Sequence, residues 1–149
     1  MSSPLPVRVR LSDTNARGCV DDTRLLVFFE EARADVIRGV GMPYSEFLAR
    51  GVRALTVEAR LRNHAPAIAD DLLLVHTSVA EVGRLRFTFM YEIRRESDSA
   101  LIASGEAVHI CIEAGREQPG RVPDWLRDTL NRLRAPDWLP SETGGESDC

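Results

Sequence analysis

The sequence contains no lysine; all 19 of its basic residues are arginines. That absence removes the lysine of nucleotide-binding loops, Schiff-base chemistry and pyridoxal phosphate attachment. A GC-rich genome gives the same bias without any functional cause. Cysteine is scarce: Cys19, Cys111 and Cys149 form no C-x-x-C pair and are odd in number. They read as free thiols in a reducing compartment, with Cys149 on a tail. His64, His76 and His109 lie in or beside strand patterns without ligand spacing, so they read as structural and no metal is expected. The G-x-S-x-G motif is missing, which argues against an α/β-hydrolase. No apolar run reaches membrane-spanning length, and the opening MSSPLPVRVR has no apolar signal core. The net charge of −4 advertises neither nucleic acid nor an anionic membrane. These absences together suggest a cytoplasmic protein with no cofactor, no nucleic-acid partner and no membrane partner.

What is present suits an ordinary globular chain. With 149 residues, 44% apolar and 28% charged, one domain with a true core is expected over 1–135. The polar, low-complexity segment 136–149 reads as a disordered tail.

The chain is organised around the stretch 13–38, DTNARGCVDDTRLLVFFEEARADVIR. Leu25, Phe28, Phe29, Ala32 and Val36 recur at three- and four-residue steps, which predicts one apolar helix face. Asp21, Asp22 and Thr23 all suit an N-cap, so the helix should begin there and run to about Val40, where Gly39 and Gly41 end it. Ahead of it, Pro6 to Leu11 alternates as a half-buried strand, with Val7, Val9 and Leu11 on one face. A short helix is expected over 42–51. Strand patterns follow at 52–62, with Leu55, Val57, Ala59 and Leu61 inward, and at 71–82. The strand at 85–94 should put Leu85, Phe87, Phe89, Tyr91 and Ile93 inward, with Arg86, Thr88, Glu92 and Arg94 outward. A last strand spans 100 to about 112, and a final helix 123–134. One long helix followed by a run of antiparallel strands predicts an α+β fold of about five strands curved around that helix. The loop 12–22 is the natural place for chemistry, because a helix start presents backbone N–H groups without intrahelical partners.

The residues of this loop resemble a known family. Asp13-Thr14-Asn15, then Gly18 and Val20, then Phe29-Glu30-Glu31-Ala32-Arg33, are similar to the D-T-D-x-x-G-H-V-N-N and F-x-E-x-A-R segments of hotdog-fold thioesterases of the 4-hydroxybenzoyl-CoA thioesterase type. Pro66-Ala67 with Asp71 resembles that family's P-A-x-x-G-D. Phe89 to Ile93 and Ala103-Ser104-Gly105 resemble its F-x-Y-E-I and A-x-G strands. The likeness covers roughly 6–135.

The resemblance implies a hotdog fold and hydrolysis of an acyl-CoA or acyl-carrier-protein thioester. It also implies a homodimer or homotetramer whose sites form between protomers. The departures are specific. Asn15 stands where the family's catalytic aspartate stands, and Cys19, Asp21-Asp22 and Leu25 replace its histidine, asparagines and aromatic. An asparagine there resembles the hotdog thioesterases of enediyne polyketide pathways, where the family account uses it with a helix arginine, here Arg33. In the wider family a backbone N–H at the position of Asp22 holds the carbonyl.

Thioester hydrolysis needs a placed water, donors for the developing oxyanion and a leaving thiolate. Backbone N–H groups of Asp22 and Thr23 are the expected donors. Asn15 cannot act as a base, but its oxygen can hold a water and its nitrogen the substrate carbonyl. The candidate bases are Asp22 and Glu30. Structural readings stand beside each of these: Asn15 as a turn residue, Arg33 paired with Glu30 one turn away, Asp21 and Asp22 as caps. Cys19 is a nucleophile only with a depressed pKa and a nearby base.

Overall fold

Residues 3–134 are described in the computed structural model; the expected disordered tail lies outside them. The elements run β1 (Leu5–Arg8), a single 3-10 turn (Leu11–Asp13), α1 (Asp22–Gly39), α2 (Tyr44–Ala49), β2 (Val52–Asn63), β3 (Leu72–Val82), β4 (Arg86–Arg95), β5 (Leu101–Glu113), β6 (Pro119–Gly120) and α3 (Asp124–Asn131). The strands form one antiparallel sheet in the order β1-β3-β4-β5-β2, with β6 added alongside β5. The α+β sheet-and-helix arrangement is the one the sequence led us to expect.

Helix α1 forms where its caps put it. The Asp21 carboxylate accepts the Thr23 N–H at 3.0 Å, which fixes the first turn. Leu25, Phe28, Phe29, Ala32 and Val36 are the buried positions of α1, the same five that the periodicity selects. Burying Phe28 alone is worth roughly 1.5–3 kcal/mol.

The helix sits on the inner face of the sheet. Register places Tyr91 opposite Gly105, Phe89 opposite Ala107 and Phe87 opposite His109. Large side chains on β4 therefore face small ones on β5, except at His109. The Phe29 ring stacks on Tyr91 with centroids 4.5 Å apart. A Cβ at Gly105 would lie 2.2 Å from the Arg60 carbonyl and 2.7 Å from Phe29 Cε2. Only a glycine lets α1 come this close to β5.

Three expectations need correction. Leu11 does not continue β1; it opens the 3-10 turn and is 79% exposed. Leu55 and Val57 do not face inward. A bulge between Thr56 and Glu58 reverses the alternation, so Thr56 and Ala54 share the inner face with Ala59 and Leu61. Glu92 is buried and ion-paired with Arg94, while Leu85 lies outside β4 and is exposed.

Helix α3 closes one end of the molecule. Leu126 and Leu130 are fully buried, and Trp125 packs edge-on against Phe47 of α2 at 5.5 Å. The Arg127 guanidinium donates to the carbonyls of Val82 and Gly83. No helix among the described residues is long and apolar enough to cross a membrane.

Candidate active site

The loop before α1 is a small tied hairpin. Thr14 and Val20 form an antiparallel bridge, and Cys19 bridges to Ile68. Gly18 adopts φ +82° with nothing near its missing Cβ, so it serves the turn. Beneath it, Asp13 is 1% exposed. Its carboxylate accepts from the Arg10 N–H at 2.9 Å and from Arg24 Nε at 2.8 Å. Burial alone would raise its pKa, but the Arg10 amide and the Arg10 and Arg24 guanidiniums together hold it below the ordinary carboxylate range. The Asp13 carbonyl also receives the Asp21 N–H at 2.9 Å. Asp13 thus anchors the loop at both ends, a role that sequence reasoning missed.

Asn15 is exposed at the hairpin tip. Its Oδ1 accepts the N–H of Arg17 at 2.9 Å and that of Cys19 at 3.3 Å. Two backbone donors fix the orientation of the amide and occupy the oxygen. Asn15 thus ties the turn through its side chain rather than through a left-handed backbone, and these two bonds compete with a water for its oxygen. What Asn15 can offer a ligand is the NH2 donor.

Asn15 and Asp22 line one cleft of about 240 Å³, together with Leu25, Asn63, Pro66 and Ile102. Among the described residues the Asp22 N–H meets no acceptor, as the expected carbonyl donor requires. The expected second donor does not survive: the Thr23 N–H is bound by Asp21. The Asp22 carboxylate accepts from Asn63 Nδ2 at 2.9 Å, which holds it at the cleft wall.

Arg33 and Glu30 lie elsewhere. They line a second cavity of about 520 Å³ with Ile37, Met42, Tyr44 and Phe47. Within one chain, then, the structure does not bring Arg33 into the cleft of Asn15. Nor does Arg33 pair with Glu30: Glu30 has no ion pair among the described residues. Instead the Arg33 guanidinium reaches His109 Nε2 at 3.4 Å. The Tyr91 phenol is pushed up to about 12 by burial, with the Arg33 charge pulling the other way.

Cys19 is 5% exposed and lines the cleft of Asn15. Cys111 is free and buried, and burial raises its thiol to about 11. Among the described residues no cluster of His, Cys, Asp and Glu could hold a metal ion.

With this geometry in view, residues 9–130 match the model of the thioesterase-like superfamily. The chain belongs to that superfamily. An acyl-CoA thioesterase of Haemophilus influenzae is 29% identical over 130 residues, covering 87% of this chain and 94% of its own length. The crystal structure of a hypothetical protein from Thermus thermophilus superposes with a TM-score of 0.81 at 32% identity, covering 89% of this chain and all of that one, 100%. The crystal structure of the dynemicin thioesterase, solved in a study of polyene binding, superposes with a TM-score of 0.80 at 23% identity, covering 90% of this chain and 99% of that one. At that identity it shows the fold alone. The thioesterase-like family and the hotdog fold agree with the sequence reading.

Proposed function

We propose that this thioester hydrolase cleaves an acyl-CoA or acyl-carrier-protein thioester at the start of α1. One observation carries the reading: Asn15, whose oxygen is occupied and whose NH2 is therefore the outward donor, lines the same cleft as Asp22, whose N–H lacks an acceptor. Two donors directed at one carbonyl oxygen would stabilise the charge that develops there, helped by the positive end of the α1 dipole. The leaving thiolate needs little acid assistance.

Water activation falls to a neighbouring group, since an amide takes up no useful proton. Asp22 is favoured over Glu30 because Asp22 lines the cleft of Asn15, with its carboxylate on Asn63 of the same cleft, whereas Glu30 lines the other cavity. Asn15 in place of an aspartate also suits a thioester that is reactive in itself, such as a β-keto or polyene acyl group on a carrier protein in polyketide biosynthesis. A second reading, hydrolysis of ordinary acyl-CoA, is favoured by the Haemophilus influenzae relative, whose name states acyl-CoA thioesterase activity.

The proposed assembly is at least a homodimer. Strand β2 ends the sheet, and most of its residues are exposed on both faces, with Leu55 at 41% and Val57 at 47%. An open apolar edge invites pairing with a second copy. Such pairing would bring one chain's Arg33 cavity toward its partner's Asn15 cleft, with the acyl group along the seam.

A panel of acyl-CoA and acyl-carrier thioesters, followed by thiol release, tests the reading. Turnover is expected on at least one of them, fastest on β-keto or polyene acyl carriers. Binding without turnover on every member would make this a non-catalytic acyl-binding protein and overturn the proposal.

A further inference from the structure

Resting on the family resemblance that gives Arg33 a part in the reaction, we infer that His109 is the positioning residue of Arg33. Nε2 of His109 holds the guanidinium at the wall of the 520 Å³ cavity, and Nδ1 is tethered to Thr56 Oγ1 at 3.1 Å.

The imidazole is 1% exposed. It lies beside Phe87, with centroids 5.2 Å apart, and edge-on to Phe89 at 5.8 Å. A position in such an aromatic row is filled more cheaply by an apolar side chain, because a buried imidazole costs free energy unless its nitrogens are bonded. Here both are. Arg33 can only donate, so Nε2 is the acceptor; the ring proton then sits on Nδ1 and is donated to Thr56.

The choice of a neutral partner matters. Arg33 is half-buried and has no carboxylate partner among the described residues. A carboxylate in place of His109 would hold the guanidinium equally well but neutralise it. The imidazole fixes its direction and leaves the positive charge for an electron-rich oxygen in the cavity. The far end of the tether, Thr56, lies at the bulge of the open edge strand. A copy paired on β2 would therefore act on the site through this side chain.

The test compares Arg33→Met, His109→Gln, His109→Asn and the double variant His109→Asn/Arg33→Met in the full chain, reading kcat and KM on the best thioester of the panel. Urea unfolding checks that each variant is folded. Gln keeps an acceptor at the depth of Nε2, and Asn does not reach it. His109→Asn is expected to lower kcat about tenfold to a hundredfold, the scale of a misplaced group, with KM within about threefold, and His109→Gln to recover most of it. The double variant should be no slower than Arg33→Met, because His109 acts only through Arg33. Equal kcat for Asn, Gln and wild type would overturn the positioning role while leaving the site reading intact. So would losses that multiply in the double variant. Full turnover in Arg33→Met would remove the role of Arg33, and the positioning role with it, while the Asn15 cleft would stand or fall on Asn15→Ala.

Discussion

Lowering the pH from 7.5 to 4.5 should destabilise this protein through one side chain above all. Burial, helped by the Arg33 charge, lowers the His109 pKa to about 3 from an ordinary 6.5. The charged group that acts on it is Arg33 of α1, and its remaining neighbours, Phe87, Phe89 and Thr56, do not titrate in this range. Below pH 6.5 the unfolded chain takes a proton that the native state refuses. Stability is therefore full above 6.5 and lost as the pH falls, at roughly 1.4 kcal/mol per unit, until the native histidine protonates near 3. At pH 4.5 the loss from this group is about 3 kcal/mol, a large part of a typical domain's stability. Asp13 works in the same direction, but its contribution begins to fade only as the pH falls toward 3.8, below this window. Urea unfolding followed by tryptophan fluorescence at both pH values, on wild type and His109→Gln, measures the term. The wild type should lose about 3 kcal/mol more than the variant. Equal losses in the two proteins would refute the buried neutral imidazole.

Two further perturbations probe the backbone that holds the site. Gly105→Ala would press a methyl group 2.2 Å from the Arg60 carbonyl and 2.7 Å from the Phe29 ring. A loss of roughly 3 kcal/mol or more is expected in urea unfolding, at the top of the overpacking range, and a loss under about 1 kcal/mol would contradict the packing described. Asp70 adopts φ +74° where the resembling P-A-x-x-G-D segment has glycine. Asp70→Gly should stabilise by about 0.5–1 kcal/mol, seen as a raised Tm; a lowered Tm would mean that the Asp70 side chain contributes more than its strain costs.

Much of the fold was legible from local pattern. The five buried positions of α1 follow from spacing alone, and Phe87, Phe89, Tyr91 and Ile93 of β4 follow from strict alternation. Errors came where the pattern is interrupted by something non-local. The bulge at Thr56 reverses β2 because β5 imposes its register there, and nothing in VRALTVEARL marks it. Strand β6 is two residues long and exists only through its pairing with β5. In the site, the identity of Asn15 was readable, but the direction of its amide depends on N–H groups that only the folded hairpin presents. Asp13 was passed over because one of its partners, Arg24, lies 11 residues away on the helix. His109 read as structural because its partners Arg33 and Thr56 are 76 and 53 residues distant. Polar contacts made across a fold leave no periodicity for a sequence reading to find.

The central claim is that the Asn15 amide donates to a thioester carbonyl held at the start of α1. The most direct measurement is kcat/KM for thiol release by Asn15→Ala against wild type on one cleaved thioester, with unfolding curves showing both proteins folded. Removing a donor to the developing oxyanion should lower kcat/KM by about a hundredfold to a thousandfold. An unchanged kcat/KM in folded Asn15→Ala would contradict the account.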